Sequence, residues 1–256
     1  MKLFAILSST VLASVALASP LTLERRARNA ARLQARVAQR HSNLPFKAGT
    51  NEILHLNETT HEEYSSNWAG AVLIGSGLHV RDRDEQYCAT AWVGIDGDTC
   101  QSAILQTGVD FCIDSSGTTS DAWYEWFPDY SHDFSGISIS AGDKVKVTVD
   151  ASSKTAGTAI VENLTTGKTV SHTFAGQDDN ALCETNAEWI MEDFSSFLSL
   201  VPFANFGTVT FTDISATSGD SSVGASNATI IDIQQNNKTL TSSSASDTEV
   251  TIKYIG

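Results

Sequence analysis

From residue 67 onward, apolar and polar positions alternate in short runs, at 68–74, 91–95, 103–107, 122–127, 145–149, 158–162, 169–174, 188–192, 209–211, 229–233 and 250–254. A period of two sends successive side chains to opposite faces of a strand. Turn-forming residues punctuate the runs: Gly97-Asp98, Ser116-Gly117, Ala141-Gly142-Asp143, Thr166-Gly167, Gly219-Asp220 and Asn236-Asn237. Many short strands with this punctuation predict an all-β sandwich or barrel. No internal repeat is visible.

The run at 103–107 contains one residue that breaks the pattern. Ala103, Leu105 and Thr107 fall on one face, and Ser102, Ile104 and Gln106 on the other. Gln106 is then a large amide inside an apolar strand, and burying its donors and acceptor is costly unless they are bonded or used. Taken alone, the strand favours a satisfied core glutamine over a functional one.

Residues 21–40 have a different period. Leu23, Ala27, Ala30, Ala31 and Leu33 recur at helical spacing in a segment rich in Ala, Arg, Leu and Gln. Ahead of it, Lys2, an apolar run and Ala16-Leu17-Ala18 have the layout of a secretory signal peptide cleaved near Ala18. The apolar run is too short for a membrane span. Three segments are therefore expected: a signal peptide at 1–18, a basic pro-segment and linker at 19–63, and a β-sandwich domain at 64–256.

Charge sharpens this division. The formal net charge is −14, but residues 64–256 alone hold 25 acidic against 8 basic residues, a net of −17. Residues 20–47 hold seven basic residues (Arg25, Arg26, Arg28, Arg32, Arg36, Arg40 and Lys47) against Glu24. An acidic body argues against nucleic acid and anionic membrane as partners, and suits a protein kept soluble in acid. A basic leader ahead of it reads as an intramolecular inhibitor that acid releases by neutralising carboxylates. The product is expected to be secreted, extracellular and monomeric.

In an oxidising compartment the four cysteines are expected to form disulfides. Three pairings are possible, and the preferred one is Cys88–Cys112 with Cys100–Cys183. The second bridge would tie the Gln106 region to the segment holding Glu184, Glu188 and Glu192, setting those strands side by side. Sequons at Asn57, Asn163, Asn227 and Asn237 are candidate glycosylation sites.

In the segment 183–194, CETNAEWIMEDF, a strand would put Glu188, Ile190 and Glu192 on one face. Here the chain resembles the fungal glutamic peptidases, or eqolisins. The resemblance rests on SSNWAG at 65–70, WVGIDGDTC at 92–100, AILQTGVDF at 103–111, DAWYEWFPDY at 121–130, VENLTTG at 161–167 and the CETNAEWIMEDF segment. It implies a lectin-like sandwich of two antiparallel sheets and a secreted acid endopeptidase acting on protein and peptide substrates, with no metal and no organic cofactor. It also implies a catalytic pair, Gln106 and Glu192, the latter told from Glu188 by its place just before Asp193. Around the cleft the resemblance places Trp92, Asp96, Asp110, Asp121, Trp123, Glu125 and Phe194. Phe127 stands where relatives often carry tyrosine.

Between Gly77 and Gln86 this chain has only LHVRDRDE, where relatives usually have a longer stretch with a strand and a Ser/Gly/Pro-rich loop. A catalytically inactive sandwich is the reading this shortening favours. A glycosidase or carbohydrate-binding sandwich is a further alternative. A retaining glycosidase needs two carboxyls about 5–5.5 Å apart, and Glu125, Glu188 or Glu192 could supply them, but Gln106 would be unexplained. Paired Asp-Thr/Ser-Gly turns, G-x-S-x-G and H-E-x-x-H are all absent from the sequence, against pepsin-like, serine and zinc hydrolases.

Overall fold

The computed structural model describes residues 40–41, 67–73, 86–115, 117–196 and 199–256. The expected signal peptide and linker, most of the predicted helix, Asn57 and residues 78–85 of the shortened stretch lie outside these. Arg40, the last residue of the predicted helix, is extended: Arg40–His41 forms a short strand.

Eleven longer strands build the body. They are β1 (Asn67–Leu73), β2 (Tyr87–Ile95), β3 (Ile104–Asp114), β4 (Gly117–Phe127), β5 (Lys144–Ser153), β6 (Ala156–Asn163), β7 (Lys168–Phe174), β8 (Ala187–Glu192), β9 (Thr208–Ser218), β10 (Thr241–Ala245) and β11 (Glu249–Tyr254). One sheet has the order β8-β2-β3-β4, with His132–Asp133 added beyond β4. The other has the order β10-β11-β9-β1-β5-β6-β7, with Ser221–Val223 paired to β9. Every pairing within them is antiparallel. Of the sandwich or barrel that the alternation predicts, the fold is the sandwich, with the two antiparallel sheets that the resemblance implies.

The two sheets meet through aliphatic faces. Ala89, Ala91, Val93, Ile95, Leu105 and Val109 from the first pack with Val145, Val147, Val149, Val161, Val209 and Phe211 from the second. This layer removes a large apolar area from water, the main favourable term in folding. In β2 the alternation is masked, because every residue from Cys88 to Ile95 is buried. Its second face, carrying Thr90, Trp92 and Gly94, is covered as well, and this covered outer face is where the unusual polar residues collect.

One predicted strand is absent. Residues 229–233 are irregular, and regular pairing begins only at Gln234–Gln235, which pairs with Lys238–Thr239 across the Asn236-Asn237 turn. Both turn asparagines have positive φ, at 50° and 60°, a conformation Asn tolerates better than most residues. Conversely β10, TSSSA, forms although its sequence lacks the apolar alternation that marks a strand. It is held by β11 on one side.

Both predicted disulfides are present, Cys88–Cys112 and Cys100–Cys183. Asn163, however, is not available to carry a glycan. It is fully buried, its Nδ2 donates to Ser138 O and Asp143 Oδ2, and its Oδ1 accepts from the Thr165 and Thr166 amides. Its asparagine serves as the organiser of a turn, a use the sequon cannot reveal. Asn227 and Asn237 are exposed.

Phe211 is completely buried between the sheets. Phe211→Ala is expected to lower stability by about 3–5 kcal/mol, measured by urea denaturation at acid pH.

Candidate active site

Register sets the site. Three cross-strand rows run over the outer face of the first sheet. One aligns Glu188, Gly94, Gln106 and Glu125. The next aligns Ile190, Trp92, Gly108 and Trp123, and the third Glu192, Thr90, Asp110 and Asp121. Gln106 and Glu192 thus share a face, but β8 does not lie beside the strand of Gln106. β2 comes between them, because the Cys100–Cys183 bridge joins loops rather than strand neighbours. Two strand spacings and four residues of offset put their Cα atoms about 16 Å apart along the sheet. That separation leaves room between two long side chains for a peptide bond and a water.

Trp92 occupies the ground between. Its indole Nε1 donates to Glu192 Oε2 at 2.9 Å, a buried hydrogen bond. The ring lies over Gly94, and Gly108 lies against the Trp92 stem. A Cβ on Gly94 would come 2.8 Å from Trp92 Cζ3, and one on Gly108 would come 2.5 Å from Trp92 Cβ and 2.3 Å from Ala91 O. Glycine at both positions lets a flat indole rest on the sheet. Ile104, Trp123, Phe127 and Ile190 pack around it. Trp123 is itself fixed, its Nε1 donating to Thr90 Oγ1 at 3.1 Å while Thr90 Oγ1 donates to Val109 O at 3.2 Å.

The predicted site residues divide by environment. Gln106 and Glu125 are fully buried, and Asp110 and Glu192 nearly so. Asp121 is at the exposed rim of its strand. Asp96 does a different job from lining a cleft. It is fully buried at a positive φ of 68°, and its carboxylate accepts from the amides of Cys183, Glu184, Thr185 and Asn186. It therefore clamps the loop that leads into β8. Phe194 packs with Cys88, Cys112 and Val201, on the disulfide.

Two further carboxyls complete the acidic face. Glu188 sits on the Gly97 turn, where a Cβ on Gly97 would meet its Oε2 at 2.8 Å. Burial, then the nearby Asp98 and Asp96, push its pKa well up. Asp193 is 7% exposed. Burial raises it from the ordinary 3.8 to about 7, against the lowering effect of the hydrogen bond from Gln235 Nε2. Thr90 and Gln235 are functional candidates that sequence reading missed. Thr90 had a local signal, a polar residue two before Trp92 on the same face. Gln235 is 42 residues from Asp193 and had none.

Asp96, Cys100 and Cys183 bring ligand-type atoms within 4.8 Å of one another, but both sulfurs belong to the Cys100–Cys183 disulfide. Neither can supply the thiolate that metal binding requires, so this cluster does not fit a metal.

A two-sheet sandwich with a glutamine, a glutamate and a tryptophan on one acidic face matches the glutamic-peptidase pattern that the sequence motifs resemble, and comparison with known proteins agrees. Residues 76–254 match the Peptidase A4 family, and the chain belongs to that family. It is 53% identical to Aspergillopepsin-2 of Aspergillus niger over 285 aligned positions, covering 100% of both chains. It is 44% identical to Scytalidopepsin B of Scytalidium lignicola over 267 positions, covering 98% of both. It also superposes on scytalido-glutamic peptidase bound to a transition state analog inhibitor, with a TM-score of 0.63 and 46% identity, over 75% of this chain and 100% of the other.

The buried carboxyls dictate a pH dependence. Asp193 binds its proton more tightly when folded than when unfolded, so its contribution to stability is fully present below pH 3.8 and is lost as pH rises through about 7. A shift of that size corresponds to about 4 kcal/mol, and Glu188 acts in the same direction. The melting temperature is therefore expected to fall between pH 4 and pH 7. Asp193→Asn should flatten part of that fall; calorimetry showing equal melting temperatures at both pH values for the wild type would contradict the assignment.

Proposed function

We propose that this chain is a secreted acid endopeptidase in which Glu192 and Gln106 act on the scissile peptide bond. The observation that carries the reading is the common face shared by these two residues, with Glu192 held by the Trp92 indole. In this mechanism Glu192 takes a proton from a water molecule as the water oxygen attacks the carbonyl carbon. The Gln106 amide N–H donates to the developing oxyanion. Glu192 then returns the proton to the leaving amine as the C–N bond breaks. A neutral amide keeps its state in strong acid, whereas glutamate must stay ionised to act as the base. The Trp92 N–H favours that ionised form.

The family's named members support peptide hydrolysis. Aspergillopepsin-2 and Scytalidopepsin B carry peptidase names, and a related structure holds the tripeptide Ala-Ile-His. The basic leader is read as the inhibitor of the same site. Arg40–His41 pairs antiparallel with Ser195–Ser196, three residues beyond Glu192. Acid that neutralises the carboxylates of the body would weaken its hold.

Cleavage of a quenched peptide at acid pH tests the mechanism. Glu192→Gln is expected to fold and lose about 10²–10⁴-fold in kcat, and Gln106→Ala about 10²–10³-fold. Retained activity in Glu192→Gln removes that residue from the mechanism. Trp92→Phe should move the acid limb of the kcat/KM profile to higher pH, because the ionised carboxylate loses a donor. An unmoved limb would make Trp92 a packing residue only.

A further inference from the structure

The strand that ends at Glu192 is the outermost of its sheet; among the described residues β8 has a strand partner on one side only, β2. A cavity of about 160 Å³ runs along its open edge, with Glu188 and Ile190 on one side and Ile230, Ile231 and Ile233 on the other. The isoleucine wall belongs to the irregular segment where a strand was expected. Ile230 is 50% exposed and Ile231 41%, so two adjacent large apolar side chains face solvent at the cavity.

The segment is anchored at this position. Asp232 Oδ1 accepts from Thr241 Oγ1 and Ser243 Oγ at 3.1 and 2.7 Å, and the Ile233 amide donates to Thr241 Oγ1 at 2.8 Å. A few residues on, Gln235 Nε2 donates to Asp193, directly after Glu192. One attachment joins the segment to the second sheet and the other joins it to the end of the catalytic strand. They keep the isoleucines beside β8.

Ile190 belongs to both the cavity and the cleft floor. Ile190 packs against the Trp92, Ile104 and Trp123 cluster that floors the face between Gln106 and Glu192. It lies two residues before Glu192 on the same face of β8, about 7 Å along the strand. The size suits one side chain: a dry apolar cavity near 150 Å³ accepts a benzene ring. Extended main chain already docks on this stretch, since Arg40–His41 pairs with Ser195–Ser196 just beyond Glu192.

We propose that Ile190, Ile230, Ile231 and Ile233 form a specificity subsite that takes one large apolar side chain of an extended peptide substrate, about two residues from the scissile bond. The proposal rests on the peptidase reading above and names a preference which that reading leaves open.

The test separates binding from cleavage. Octapeptides with a fluorescent end group, carrying either Phe or Ser at each position in turn, are titrated onto acid-treated Glu192→Gln, and cleavage of the same peptides by the wild type is followed in parallel. One position away from the scissile bond should show Phe favoured over Ser by about tenfold or more. Adding Ile230→Ser and Ile231→Ser should abolish that preference while changing binding of peptides varied elsewhere by less than about twofold; Ile231→Thr alone serves if the multiple variant does not fold. An unchanged preference, equal weakening at every position, or no position-dependent binding overturns the subsite. Position-dependent binding without wild-type cleavage overturns the peptidase reading and leaves the subsite as a peptide-binding pocket.

Discussion

The site depends on one constraint: an indole must lie flat on a β-sheet between two catalytic candidates. Trp92 can do this only because Gly94 and Gly108 present no Cβ beneath or beside it. Once flat, the ring places its N–H on Glu192 and its carbon edge near Gly94, the cross-strand partner of Gln106. Thr90, Trp123 and Ile190 then pack around it. Register fixes this face, because a slip of one residue in β8, β2 or β3 would turn Glu192, Trp92 or Gln106 into the inter-sheet core.

The same face concentrates carboxyl groups that burial makes expensive to ionise. Glu188 and Asp193 hold protons into a range where ordinary carboxyls have lost them. Such a face is tolerable in acid and increasingly unfavourable toward neutrality, where desolvation and mutual repulsion act together. The acidic composition of the body is therefore more than a solubility device, since part of it is folded into the structure as protonated groups. Asp96 has a structural use instead, since its carboxylate accepts from four backbone amides of the loop that leads into β8.

The segment after β9 walls the cavity along the open edge of β8. From 229 to 233 it forms no strand; side-chain bonds from Asp232 and Gln235 hold it, together with the Leu240 amide, which donates to Ile233 O. Its attachment to Asp193 links the wall to the strand that carries Glu192. A segment fixed in this way can keep apolar side chains at the surface, where a freely collapsing loop would bury them.

Much of the architecture was legible in the chain. Alternation gave nearly all the longer strands, and a sandwich follows because each strand has an apolar face to bury. The motifs around Gln106 and Glu192 were legible too, since each is a short-range pattern of residue types, and the preferred cysteine pairing, one of three possible, is the one found. Three features could be decided only by tertiary structure. Thr241–Ala245 is a strand because β11 supplies its hydrogen bonds, whatever its own propensity. Asn163 is a buried turn organiser despite its sequon, because exposure is a property of the packed fold. Gln235 meets Asp193, and β2 separates the strands of Gln106 and Glu192, because contacts between residues far apart in sequence depend on how the sheets are ordered and not on any local pattern.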